Sequence, residues 1–440
     1  MNKFIADFHI HSKYSRATAK DMDLESLDKW AKIKGVNLLG TGDFTHPLWL
    51  RELKTKLEPA EPGLFKLRQA GKAKIDNGWH LPNGNGSVQE LRYILTSEIS
   101  CIYSKKNETR KIHLIIFVPS FEAVEKINAH LGWIGNLKAD GRPILGLDAK
   151  ELAKIVLNIS PEALVVPGHA WTPHFSIFGS QSGFDSIGEC FDEYAKFINV
   201  IETGLSSDPA MNWRLSALDG ITLISNSDSH SPHRIGREAN IFEGKIQGYR
   251  QVAEALRLGV RAPQSIANRL VETIEFFPEE GKYHYDGHRN CKIVFSPEET
   301  KKHKGKCPVC GRPLTIGVMY RVDELADRPA GYKPAKTIPY KSLIPLEEIV
   351  GEALNLGVGT KGVEKQYKEL INKFGNEFKI LLEVSVDELA RNASPEIAEA
   401  VRRVREGKVK IEPGYDGEYG KVKIFEEGER NNLSKQASLL

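Results

Sequence analysis

The sequence predicts an α/β protein: a first domain of alternating strands and helices closed into a barrel, then a small metal-binding ribbon, a helical domain and a short tail. Three observations carry this. Strand-like and helix-like segments alternate from residue 1 to about residue 262, the length and rhythm of an α/β barrel rather than an open sheet. Six of the strands give way, at or near their ends, to an Asp, a Glu or a His, where such barrels carry reactive groups. Cys307-x2-Cys310 follows His288-x2-Cys291 at ribbon-like spacing. The expected units are 1–262, 263–330, 331–407 and 408–440.

A chain of 440 residues is too long for one ordinary core. Its 40% hydrophobic and 27% charged content is that of a water-soluble globular protein, and a net charge of +3 permits nucleic-acid binding without demanding it. Any basic footprint must be local. No apolar run approaches the roughly 18 residues a membrane span needs, and Met1-Asn2-Lys3-Phe4 lacks a signal-peptide core, so a cytoplasmic protein with no membrane partner is expected. Five cysteines make no disulfide framework; Cys101 and Cys190 read as buried thiols.

In order, Phe4 to His11 alternates with period two, which as a strand puts Asp7, His9 and His11 on one face. Leu24 to Ile33 has helical periodicity and stops at Gly35. Val36 to Leu39 is a buried strand running out into Gly42-Asp43-Phe44-Thr45-His46. Arg92 to Thr96 ends at Ser97-Glu98, Ile112 to Val118 carries His113, Leu164 to Val166 ends at Pro167-Gly168-His169, and Ile221 to Ser225 ends at Asp228-Ser229-His230. Helical segments at Phe121 to His130, Ala149 to Leu157 and Cys190 to Phe197 lie between them.

Singly, His113 reads as a core histidine and Asp43 as a helix cap. Together, Asp7, His9, His11, Asp43, Glu98, His113, His169, Asp228 and His230 converge only if they line one barrel mouth. So many imidazole and carboxylate donors exceed what one ion needs, and a carboxylate such as Glu98 can bridge two. Two or three divalent ions are expected, of zinc, manganese or iron rather than the oxygen-preferring magnesium or calcium, although magnesium can serve in vitro. Closely spaced divalent ions suit phosphoester hydrolysis.

This ordered set resembles the polymerase and histidinol phosphatase (PHP) family of metal-dependent phosphoesterases over about residues 1 to 260. The resemblance implies a distorted (β/α)7 barrel with a trinuclear centre, and makes His9, His11, Asp43, Glu98, His113, His169, Asp228 and His230 the catalytic set. It implies one ion on His9, His11, Glu98 and Asp228, a second on Asp43, Glu98 and His113, and a third on Asp7, His169 and His230. Two departures stand out: Ser15-Arg16-Ala17 replaces a common Ser-Asp-Gly, and Asp43 and His46 are separated where many relatives have Thr-Asp-His.

The aromatic and glycine-rich stretch Ala170 to Glu189, including Trp171 and Ser180, leaves the mouth directly after His169, and reads either as a base-stacking substrate loop or as a packed connector. The same two readings hold for Phe44, Trp49 and Trp79. Farther on, His288, Cys291, Cys307 and Cys310 read as a closed structural zinc site, with His284 in reserve; a redox pair is the rival for Cys307 and Cys310. Lys301, Lys302, Lys304, Lys306 and Arg312 around it form either a phosphate track or solvated surface. Gly357-Val358-Gly359-Thr360-Lys361 resembles a helix-hairpin-helix turn whose N–H groups and Lys361 could meet a DNA phosphate, or is a plain helix connection. Lys408 to Ile424 reads as a hairpin. The tail ends Gln436-Ala437-Ser438-Leu439-Leu440, the start of a sliding-clamp-binding box without its aromatic pair.

The combination of barrel, ribbon, Gly-Val-Gly-Thr-Lys and Pro413-Gly414-Tyr415-Asp416-Gly417 resembles the endonuclease Q family across nearly the whole chain. It implies a DNA-repair endonuclease cutting 5′ of deaminated bases (uracil, hypoxanthine, xanthine) and abasic sites in double- or single-stranded DNA, with the damaged nucleotide flipped out. The alternatives are another PHP activity, a 3′-exonuclease or small-molecule phosphatase, and a non-enzymatic DNA-binding protein.

Overall fold

A computed structural model describes residues 2–69, 79, 90–426 and 429–430. The clamp-like tail at 436–440 lies outside them. Most strands of the first domain are short and apolar, and one interior collects one to three residues from each: Phe4, Ala6 and Phe8, Leu38, Ile94, Ile115 and Phe117, Leu164 and Val166, Val200, Ile224, Phe242 and Leu270. The strands of the main sheet and the separate pair Val200–Glu202 and Thr222–Ile224 wrap this one interior in a barrel-like layer, with no closed ring of strand pairing among the described residues.

Strand Lys3–Asp7 pairs in parallel with Leu38–Gly40, which pairs in parallel with Arg92–Lys105. Glu108–Val118 runs antiparallel to Arg92–Lys105 over eleven residue pairs and passes the sheet on to Leu164–Pro167. Val200–Glu202 and Thr222–Ile224 form a parallel pair. A parallel bridge between Ile10 and Ser229 joins the chain beyond the first strand to the chain beyond the last of these.

The helices follow from local chemistry. In Leu24–Lys34 the Asp23 carboxylate accepts from Ser26 N–H at the start, and Gly35 at φ 91° ends the helix in a left-handed turn that a side chain would strain. Phe121–Leu131 and Ala149–Ile159 are capped by Ser120 and Asp148. Each buries one apolar stripe, Val124 and Ile127 in the first, Leu152 and Val156 in the second.

The sheet runs past the expected boundary at 262. Ala239–Gly244 pairs antiparallel with the first strand, Asn268–Glu275 pairs antiparallel with Ala239–Gly244, and Tyr340–Ser342 adds in parallel at the edge. These return strands break the strand–helix rhythm, so alternation alone did not reach them. The ribbon strands Asp286–His288 and Ile293–Phe295 pair antiparallel as a separate small sheet. The segment Pro413 to Gly417 staples the ribbon, because Asp416 accepts from Arg289 N–H and the Thr315 hydroxyl and Tyr285 N–H donates to Gly414 O. Helices Leu346–Leu354, Lys361–Phe374 and Pro395–Arg405 form the helical part. It docks on helix Leu24–Lys34 through a buried ion pair, Lys34 Nζ to Glu377 Oε2 at 2.7 Å.

Candidate metal centre

The first strand ends at Asp7, and there the alternation changes phase. Phe4, Ala6 and Phe8 enter the interior, yet His9 and His11 also converge on Glu98 and Asp228, while Asp7 turns to the backbone of Ser227 and Gly236. Phe8 N–H has left the ladder and donates to the Asn226 side chain at 2.9 Å. Asp7 therefore does not share a face with His9 and His11. Its two oxygens accept from Ser227 N–H and Gly236 N–H, and burial pushes its carboxyl up to about 6 against those bonds. It anchors the backbone on either side of the Asp228 turn.

His9, His11, Glu98 and Asp228 bring one donor atom each within 4.8 Å of one another. His11 Nε2 lies 3.0 Å from Asp228 Oδ1 and 3.3 Å from Glu98 Oε2; His9 Nε2 lies 3.4 Å from Glu98 Oε2 and 3.6 Å from Asp228 Oδ1. His9 Nε2 is buried with no hydrogen-bond partner. A buried imidazole nitrogen left unpaired and aimed at two carboxylates fits a metal ligand.

Glu98, His113 and His169 make a second set. Glu98 Oε1 lies 2.6 Å from His113 Nδ1 and 3.1 Å from His169 Nε2. Glu98 thus faces one set with each oxygen. It sits in mid-strand, not at a strand end, because Arg92–Lys105 and Glu108–Val118 form one long hairpin that crosses the mouth and places His113 beside it. The implied grouping of Asp43 with Glu98 and His113 is replaced by His169. Asp43 instead accepts from Ser12 N–H and from the Ser12 and Ser15 hydroxyls and faces His11 Nδ1 at 3.1 Å, so it orients a ligand. His230 holds its Nδ1 against Asp228 O and its ring 4.5 Å from that of His11; it does not group with Asp7 and His169.

The electrostatics suit cations. Burial would raise Glu98, but His113, Arg142 and His9 hold it well below the carboxylate range. Burial would lower His9 and His11, yet Glu202, Glu98 and Asp228 around the first and Asp43 and Asp228 around the second raise both well above the usual imidazole range. His113 is pushed down to about 4 by burial, ready to act as a neutral ligand. Asp43, His169 and Asp228 all have positive φ, at 47°, 29° and 45°, a concentration of backbone strain at the site. Gly204 presses on His169: a Cβ there would lie 2.5 Å from His169 Cβ.

Two contributors escaped sequence reading. Glu202 lies 3.0 Å from His9 Nδ1 and accepts from His169 N–H at 3.0 Å, tying the two donor sets together. The signal was present, since Val200-Ile201-Glu202 is one more apolar strand ending in a carboxylate. Arg142 places Nη1 3.1 Å from Glu98 Oε2, and nothing in its local sequence announces that contact.

Trp171 is buried, donates its indole N–H to Asn212 and packs on Phe178 at 4.9 Å, so it belongs to the core of its loop and not to a substrate surface. Ser180 lies exposed on that loop. The loop itself is pinned, with Arg321 donating to Phe178 O and Phe184 O and His113 N–H to Phe175 O. Phe44, Trp49 and Trp79 are also buried. Lys361 is exposed at the first position of its helix.

In the ribbon, His288, Cys291, Cys307 and Cys310 converge, and His288 Nδ1 lies 3.5 Å from Cys310 Sγ. Burial opposes ionisation of Cys307, but the Cys310 and Val309 N–H groups draw its thiol down to about 6. That is knuckle geometry, prepared for thiolate ligation. His284, the reserve ligand, is buried outside the set. Of the basic track, Lys301 pairs with Asp323 and Lys302 with Glu298. Among the described residues no helix is long and apolar enough to cross a membrane.

Residues 345–408 match a family model described as the MJ0043 C-terminal domain. The chain is 35% identical over 308 residues to the uncharacterized protein MJ0043 of Methanocaldococcus jannaschii, a match covering 68% of this chain and 37% of that protein's length. The chain superposes on the crystal structure of the lesion-specific endonuclease PfuEndoQ from Pyrococcus furiosus with TM-score 0.81 and 30% identity, covering 99% of each. A structure of endonuclease Q in complex with a 27-mer duplex substrate bearing an abasic lesion at the active site gives TM-score 0.79 and 30% identity, covering 97% of this chain and 98% of that one.

Proposed function

Because the chain belongs to the endonuclease Q family, we propose that it is a DNA-repair endonuclease that hydrolyses the phosphodiester 5′ of a deaminated base or an abasic site. The observation that carries this reading is the buried carboxylate of Glu98, which serves the donor sets of His9, His11 and Asp228 on one side and His113 and His169 on the other. Two adjacent sets sharing a carboxylate suit two divalent ions, and their mix of imidazole and carboxylate suits zinc, manganese or iron. When bound, such ions supply Lewis-acid activation of water and neutralise charge on the phosphoryl group.

The chain's own residues do the rest. Glu202 and Asp43 fix the rings of His9 and His11 through Nδ1, leaving each Nε2 turned to the centre. Arg142 steadies Glu98 and brings a guanidinium to the mouth, where its remaining N–H groups suit a phosphate oxygen. The ribbon, its exposed Lys304, Lys306 and Arg312, and Lys361 on the helical part offer phosphate contacts that hold the duplex while the lesion, weakly paired, swings out at low cost. A structural zinc on His288, Cys291, Cys307 and Cys310 keeps the ribbon folded.

The test uses end-labelled duplexes with a single uracil, hypoxanthine or abasic site beside an undamaged control, with manganese or magnesium. One nick directly 5′ of the lesion, absent from the control and from a Glu98→Ala variant, is expected. Digestion from the ends, or equal cutting of the control, overturns the reading.

A further inference from the structure

Trp133 is the most exposed large apolar side chain among the described residues, at 93%. Its place in the fold makes that exposure informative. Glu108–Val118 runs away from the metal-bearing mouth, so the next helix, Phe121–Leu131, returns towards it and delivers the segment 132–143 there. The segment is fixed at both ends. Asn128 in the last helical turn donates to Phe44 O, next to Asp43. At the far end Gly141 N–H donates to Tyr14 O, Thr45 Oγ1 donates to Gly141 O, and Arg142 reaches Glu98. A Cβ on Gly141 would meet Asp43 Oδ2 at 2.3 Å, so the segment lies directly on the centre's supporting shell.

Gly132, the residue before Trp133, lines a groove of ≈ 480 Å³ together with Gly135, Leu137, Thr45, Pro47 and Leu50. Leu48, 52% exposed, follows the lining residue Pro47 and is a second apolar side chain presented to solvent, and the lining residue Lys138 is exposed. An indole left in water on a segment pinned to the centre's supporting shell buries almost nothing for folding. Its flat π-face, an adjoining apolar groove and a nearby cation match an unpaired nucleobase with its phosphate.

We infer that Trp133 is a stacking platform for a nucleobase exposed when the duplex opens beside the scissile phosphate. This rests on the endonuclease reading. The platform is sequence-tolerant, because every base has a π-face, and it holds the opened strand rather than recognising the lesion.

The experiment compares the full-length protein with Trp133→Ala and Trp133→Phe on an abasic duplex, using binding in EDTA, cleavage, and indole fluorescence. Trp49, Trp79 and Trp171 are buried and Trp30 and Trp213 half-buried, and all five are common to both proteins, so the wild-type minus Trp133→Ala difference isolates the exposed ring. Expected are quenching of that difference signal on DNA binding, about tenfold weaker binding by Trp133→Ala, the size of one base–aromatic stack, and near-complete recovery in Trp133→Phe. An unchanged thermal midpoint shows that the variants fold. Wild-type affinity and cleavage in Trp133→Ala, with no quenching, overturn this inference alone and leave the indole as a protein contact. Absence of lesion-directed cleavage by the wild type overturns the endonuclease reading and this inference with it.

Discussion

Glu202 shows how much of the site's geometry rests on a residue that belongs to neither donor set. It meets the imidazole of His9 and the backbone of His169, one ligand from each set, and it is fully buried. A carboxylate behind a ligating imidazole fixes its tautomer and raises its basicity, and removing such a partner costs about 10- to 100-fold in metal affinity or activity. Glu202→Gln should therefore lower manganese affinity and cleavage by about that range with no change in folding. Titration with metal, read by calorimetry, checks it; wild-type affinity in the variant would sink the assigned role. Glu202 was legible as Asp228 was, an acid at or just beyond the end of a short apolar strand. Arg142 was not, because a guanidinium on a loop carries no periodic signal.

The strand Asn268–Glu275 puts a carboxylate into the sheet's own interior. Glu275 accepts from the Thr203 and Thr273 hydroxyls, and burial, against those bonds, pushes it up to about 7; neighbouring Glu238 is raised well above its usual range by burial and by Glu275. In the folded protein Glu275 keeps its proton to near neutrality, whereas an unfolded glutamate loses it near pH 4.3. Between those values the native state binds more protons, so stability falls as pH rises. Glu275→Gln should flatten the decline in thermal midpoint between about pH 5 and pH 7. The wild-type minus variant difference isolates this group from the metal ligands, and parallel profiles would refute it. At this scale the sequence was misleading in a definite way: a strand's rhythm identifies the strand, but only its neighbours decide whether it lies in the barrel or beyond it.

Across the whole molecule, the barrel and the helical part are joined at Glu377. Its Oε2 accepts from Lys34 at 2.7 Å and from the Tyr367 hydroxyl at 2.6 Å, and its Oε1 from Leu346 N–H. All three partners are buried there, and breaking a buried pair by removing one member costs about 3–5 kcal/mol because the other charge is left uncompensated. Glu377→Ala should lower unfolding free energy by about that amount in urea, and a loss below about 1 kcal/mol would show the docking to be held by apolar contact alone.

The sequence by itself pointed to His9, His11, Glu98, His113, His169 and Asp228 as donors that could meet, and to His288, Cys291, Cys307 and Cys310 as one set. Ligand chemistry depends on residue type and spacing, and both are written along the chain. Tertiary structure alone decided the grouping. Asp7 faces away because the strand ends at it and the next residues change phase; His169, not Asp43, joins Glu98 and His113 because a long hairpin crosses the mouth; Trp171 is core while Trp133 stands in water. Side chains far apart in sequence meet according to how strands pair and helices return, which no local pattern encodes.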